Sequence, residues 1–129
     1  MAHATVEWTD NLEHDLDLGE LLGLIAGWMR DHADGAFPIG GIRVRGIRIT
    51  DYVIADGNGA DDAFINIDVK MGIGRSEAFR RTFFDGLFAV IKRQLGDLFE
   101  RRPVALSLYV QEVDGWKHNS IHQRLKKDK

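Results

Sequence analysis

Ala63-Phe64-Ile65-Asn66-Ile67-Asp68-Val69-Lys70-Met71, continuing into Gly72-Ile73-Gly74-Arg75-Ser76, is the stretch that decides the fold. Its first part has period two. Ile65, Ile67, Val69 and Met71 fall on one side of an extended chain, and Asn66, Asp68 and Lys70 fall on the other. This predicts a strand with one buried face. The glycines that follow predict a tight turn, and Ser76 suits the cap of a long helix with the stripe Phe79, Phe83, Leu87, Ile91, Leu95. Pro103 is expected to end that helix. Val104, Leu106, Leu108 and Val110 then read as a strand stopped by Asp114-Gly115. Strand, helix and strand in this order imply a right-handed crossover between two parallel strands.

Toward the amino end the same unit recurs. Ala4 to Trp8 alternates as a strand, and Thr9-Asp10-Asn11 supplies turn chemistry. From Leu18 to His32, apolar residues return every three or four positions, with Asp15 and Asp17 near the positive end of the resulting helix. Gly19, Gly23 and Gly27 lie four apart on one side of it, each costing about 1 kcal/mol against alanine. Close packing against a neighbouring backbone is the expected compensation. Asp34-Gly35 ends the helix, and the next strand carries Ile42 and Val44 in one phase but Ile47 and Ile49 in the other. That slip, centred on Gly46, predicts a β-bulge. Asp56-Gly57-Asn58-Gly59 is a strong turn between the two units.

The expected fold is therefore α/β, an α+β two-layer domain of duplicated β-α-β units. Its four-stranded mixed sheet carries two helices on one face. A single domain spans 1–129, with the first unit over 1–58, the second over 61–113, and a basic tail over 114–129 that is expected to fray. The ferredoxin-like and tautomerase arrangements share this element order. Apolar residues on both strand phases leave a second sheet face for a partner to cover, which predicts oligomerisation.

Composition narrows the function. Seventeen Lys plus Arg against twenty Asp plus Glu give a net charge of −3, so no global positive field recruits nucleic acid or an anionic membrane. With no cysteine there is no disulfide framework, thiolate metal site or cysteine nucleophile. The start, Met1-Ala2-His3-Ala4-Thr5, lacks a basic region leading into an apolar one, and no apolar run approaches the roughly 20 residues of a membrane span. A cytoplasmic protein is expected. His118 and His122 are four apart, but no carboxylate is spaced to complete a metal site, and neither metal nor cofactor is expected. No Gly-x-Ser-x-Gly elbow is present.

Two features carry candidate chemistry. Arg43 and Arg45 alternate with Ile42 and Val44, so both point to the same side of their strand, either as a solvated face or toward an anion. Gly72 to Ser76 bares a helix start beside Arg75, which suits a carboxylate or phosphate, though glycines also serve an ordinary tight turn.

Several segments together carry a resemblance over nearly the whole chain. They are His3 with Val6-Glu7 and Asp10-Asn11; Phe37-Pro38; Gly41-Ile42-Arg43; Ala55-Asp56-Gly57; Ala63-Phe64; Gly72 to Ser76; Ala105-Leu106-Ser107; and Asn119 to His122. In this the chain resembles the 5-carboxymethyl-2-hydroxymuconate isomerases of the tautomerase superfamily. The resemblance implies a homotrimer whose strands form a central barrel, with active sites near subunit interfaces. It also implies a cofactor-independent keto–enol isomerisation of a small unsaturated hydroxy-dicarboxylate. In that family an amino-terminal proline, freed by loss of methionine, is the base, and two arginines grip the substrate. By position the arginines correspond to Arg43 and Arg75, with Phe37 beside the substrate. Where the family has its proline this chain has Ala2, whose freed α-amine, with an ordinary pKa of about 7.7–8.0, is the candidate base. A non-catalytic trimeric homologue that binds a small carboxylate is the alternative.

Overall fold

Strand β1 (Ala2–Thr9) lies inside a four-stranded sheet of order β2-β1-β3-β4, with β2 at Ile42–Ile49, β3 at Ala63–Gly72 and β4 at Val104–Val113. The computed structural model describes residues 1–127. Strands β1 and β2 are parallel, as are β3 and β4, whereas β1 and β3 run antiparallel. Helix α1 (Leu18–Asp31) makes the first crossover and α2 (Glu77–Leu95) the second. The mixed sheet, its duplicated β-α-β units and its two long helices are those the residue pattern predicts. Because β1 opposes β3, the starts of β1 and β2 lie beside the ends of β3 and β4.

Alternation sorts each strand. Ala2, Ala4, Val6 and Trp8 of β1 and Ile65, Ile67, Val69 and Met71 of β3 are buried under the helices. Leu21, Ile25 and Met29 of α1 and Phe83, Leu87 and Ile91 of α2 meet them. Each such fully buried side chain contributes about 1.5–3 kcal/mol relative to exposure. Asp17 caps α1 by accepting from Glu20 N at 3.0 Å, and Ser76 caps α2 by accepting from Phe79 N at 3.1 Å.

Four expectations are corrected. There is no bulge at Gly46: the register between β1 and β2 is continuous from Ala2 opposite Ile42 to Thr9 opposite Ile49. Gly46 faces α1, and a Cβ there would come 2.8 Å from Leu18 Cδ2, so the glycine admits the helix. Ile47 and Ile49 simply fall on the opposite sheet face. Nor do Gly19, Gly23 and Gly27 pack against a backbone; nothing lies within 4 Å of a Cβ built on Gly23. The close approach is on the other helix, where a Cβ on Gly86 would meet Trp28 Cζ2 at 2.6 Å. Trp28 donates from Nε1 to Phe83 O at 3.1 Å and stacks on His32. Helix α2 ends at Gly96, with φ +60°, well before Pro103, and a short helix α3 (Leu98–Arg101) intervenes. Finally, the tail expected to fray carries a helix, α4 (Ile121–Lys127), within its described residues.

The second sheet face is open. It carries a polar network in which Asn66 Nδ2 donates to Asp68 Oδ2 (2.9 Å) and Glu7 Oε1 (3.3 Å), while Ser107 Oγ donates to Asn66 Oδ1 (2.7 Å). Ile47 and Tyr109 stand beside it, 44% and 59% exposed.

Candidate active site

The end of the sheet where β1 and β2 begin and β3 and β4 finish holds an open cavity of about 760 Å³. Met1, His3, Arg43 and Arg75 line it. Arg43 stands at the start of β2, directly opposite His3 of β1, and its Nη1 lies 3.1 Å from His3 Nε2. Arg45 is one pleat further along the same face, outside the cavity lining.

Arg75 comes from the turn after β3. Gly74, at φ +116°, takes a backbone conformation that residues with a side chain rarely adopt, in the turn that follows β3. Arg75 Nη1 donates to Gly72 O at 3.3 Å, an approach that a Cβ on Gly72 would crowd at 3.0 Å. Its Nη2 donates to Ala36 O, and its guanidinium carbon sits 5.5 Å from the Phe37 ring centroid. Phe37 does not itself line the cavity. It is 2% exposed, wedged edge-on against Phe79 and Phe83, and supports Arg75 from beneath. The helix start is occupied by its own Ser76 cap, so the turn offers the cavity Gly72, Ile73 and Arg75.

Ala2 is wholly buried at the head of β1, and Met1, preceding it, is at the cavity. Burial first, then the charges of Lys117 and Arg75, push the Met1 amine below the ordinary α-amine value. Burial, followed by the Arg43 and Arg45 charges, likewise lowers His3. An amine poised to be neutral, beside cations that attract carboxylates and stabilise developing enolate charge, can move a proton on an acidic substrate.

The tail supplies residues that pattern reading missed. Trp116, Lys117, Asn119 and His122 all line the cavity. Asn119 Nδ2 donates to Gly40 O at 2.7 Å, and its Oδ1 accepts from Ile121 N at 2.9 Å. That local Asx bond was the available signal for order in a segment whose charge suggested fraying. Among the described residues no cluster of three potential metal ligands occurs. Glu7 accepts from Asn66 on the open sheet face, away from the cavity lining. No helix of the described residues is long and apolar enough to cross a membrane.

The family model for 5-carboxymethyl-2-hydroxymuconate isomerase matches residues 2–125. The 5-carboxymethyl-2-hydroxymuconate Delta-isomerase of Escherichia coli is 33% identical over 129 residues, covering 98% of this chain and 100% of that protein. The crystal structure of a 5-carboxymethyl-2-hydroxymuconate isomerase from Deinococcus radiodurans R1 superposes with a TM-score of 0.89 at 37% identity, covering 96% of this chain and 93% of that one. A second solved structure, a 5-carboxymethyl-2-hydroxymuconate delta-isomerase, gives 0.84 at 29% identity, with coverages of 97% and 93%. With the two arginines at one cavity and the fold shared end to end, the chain belongs to the 5-carboxymethyl-2-hydroxymuconate isomerase family and is an enzyme of the isomerase class.

Proposed function

We propose that the enzyme catalyses keto–enol tautomerisation of an unsaturated hydroxy-dicarboxylate of the 5-carboxymethyl-2-hydroxymuconate kind. Once Met1 is removed, the Ala2 amine at the head of β1 takes the enol proton and returns it to carbon. Arg43 and Arg75 grip the carboxylates and stabilise the enolate oxygen as charge develops. Phe37 contributes by fixing Arg75. The observation that carries this reading is the meeting of Met1, Arg43 and Arg75, from three separate segments, around one cavity. No cofactor or metal is required, since the electron pair stays within the conjugated substrate.

We also read the working form as a homotrimer in the cytoplasm. The open sheet face, with Ile47 and Tyr109 exposed beside a polar network, supports assembly.

The test is ketonisation of 2-hydroxymuconate-type dienols, followed by loss of their ultraviolet absorbance, with protein whose intact mass shows Met1 removed. Turnover well above background that collapses in Arg75→Ala is expected. No turnover by the processed protein, with activity appearing in Ala2→Pro, would mean that the native reaction is a different one.

A further inference from the structure

The tail brings to the cavity mouth two side chains that the proton-transfer scheme leaves unused. Trp116 is 101% exposed, and Lys117 has no ion-pair partner among the described residues. The other cations are already partly engaged: Arg75 bonds to the carbonyls of Gly72 and Ala36, and Arg43 holds His3. A fully solvated indole beside a ligand cavity has its whole apolar surface to gain on binding.

These side chains are not on a loose end. Asn119 is bonded to Gly40 O, and the His122 ring lies so close to Gly40 that a Cβ there would meet His122 Nδ1 at 2.5 Å. Gly115 to His118 therefore bridges two fixed points, the end of β4 and the Asn119 anchor. Much of the ordering entropy of Trp116 and Lys117 is thus spent before a ligand arrives. Lys117, Met1 and His3 line the same cavity, and the Lys117 charge is among the causes that lower both the Met1 amine and His3.

We propose that Trp116 and Lys117 are a further substrate-binding pair, Lys117 holding a carboxylate and Trp116 covering the planar conjugated chain of an unsaturated acid. The pair favours conjugated over saturated acids, since only a flat π-system presents a face to the indole. This deepens the tautomerase reading and rests on it for the substrate class.

The test uses trans,trans-muconate, a conjugated diacid without a hydroxyl to tautomerise, and adipate, its saturated counterpart, in calorimetry and tryptophan fluorescence. In the unaltered enzyme muconate should shift emission to the blue and bind about two- to tenfold more tightly than adipate, the range of an aromatic contact. Trp116→Ala should abolish both the shift and the preference. Lys117→Met should weaken both diacids about two- to fivefold, as loss of an exposed ion pair does. If either variant binds both diacids as the unaltered enzyme does, the proposal is overturned. It is equally overturned if Trp116 emission is already blue without ligand and Trp116→Ala breaks the assembly, which would make the residue a subunit contact. Because muconate does not react, binding is read independently of turnover. Muconate held by this pair in an enzyme inert toward dienols would sink the isomerisation reading alone.

Discussion

His3 Nε2 and Arg43 Nη1 lie 3.1 Å apart on directly opposed residues of β1 and β2. A guanidinium can only donate, so Nε2 is the acceptor and the neutral ring carries its proton on Nδ1. On its other side His3 faces Lys70 of β3, and Arg45 follows on the same face. The ring is thus held neutral by burial and by cations around it, and in that state it orients Arg43 toward the cavity.

This gives a signed pH dependence. The folded His3 titrates below its ordinary pKa, so the unfolded chain takes up more protons once the pH falls under about 6.5. The stabilisation is present above that value and is lost as the pH drops toward the folded pKa. His3→Gln keeps an acceptor and cannot titrate, so it should remove this part of the slope. Urea midpoints followed from about pH 7 down to about pH 5 read it, and parallel curves for the two proteins would show that the His3 contact carries no energetic weight.

The amine should report its surroundings through the rate. Burial and nearby cations lower the Met1 amine. The Ala2 amine, one residue on, is expected to meet the same cations once freed. Since a base must be unprotonated, kcat/KM of the processed enzyme should rise with pH and level off below the ordinary α-amine value of about 8. Burial is the main cause of the depression and Lys117 the next, so Lys117→Met should move the inflection upward. An inflection at the ordinary value in the unaltered enzyme would place the base elsewhere.

Two glycine substitutions should act with opposite signs. Gly86→Ala drives a methyl into the pinned Trp28 ring and should cost about 1–3 kcal/mol, as overpacking does. Gly23→Ala enters open space on an exposed helix position and should stabilise by about 0.5–1 kcal/mol. Chemical denaturation of both variants settles the pair, and equal signs would contradict the helix contact described.

Gly40→Ala should undock the tail while sparing the sheet. A methyl there collides with His122, and the Asn119 bond to Gly40 O would be strained with it. Amides of Ile121–Lys127 should exchange at least about tenfold faster, with β1 and β3 amides unchanged. Unaltered protection of α4 would show that Gly40 is not its seat.

The sheet and helices were legible because their apolar residues follow single periods, as in Ile65 to Met71 or Leu21, Ile25 and Met29. Where reading failed, a glycine had two physical uses that look alike in one dimension. Gly46 admits a helix instead of marking a bulge, and Gly86, isolated in a helical run, is the true point of close contact. Arg43 and Arg75 could be singled out as charges, but their meeting depends on β1 and β3 being antiparallel, which spacing does not encode. The tail was misjudged because its anchor is a backbone carbonyl, Gly40 O, which no side-chain pattern announces.

The antiparallel join of β1 to β3 makes the domain approximately two-fold symmetric, with β1-α1-β2 exchanged for β3-α2-β4. Such a molecule has two equivalent ends, yet among the described residues the cavity lined by Arg43 and Arg75 opens at one of them. At the opposite end Arg102 takes the place of a ligand: it donates to Asn11 O (2.8 Å) and Asp61 O (2.9 Å) and pairs with Asp15 (2.8 Å). Arg43 and Arg75, one from each half of the duplication, face an open hollow at one end while Arg102 bolts the other, so a doubled fold is given a polar axis.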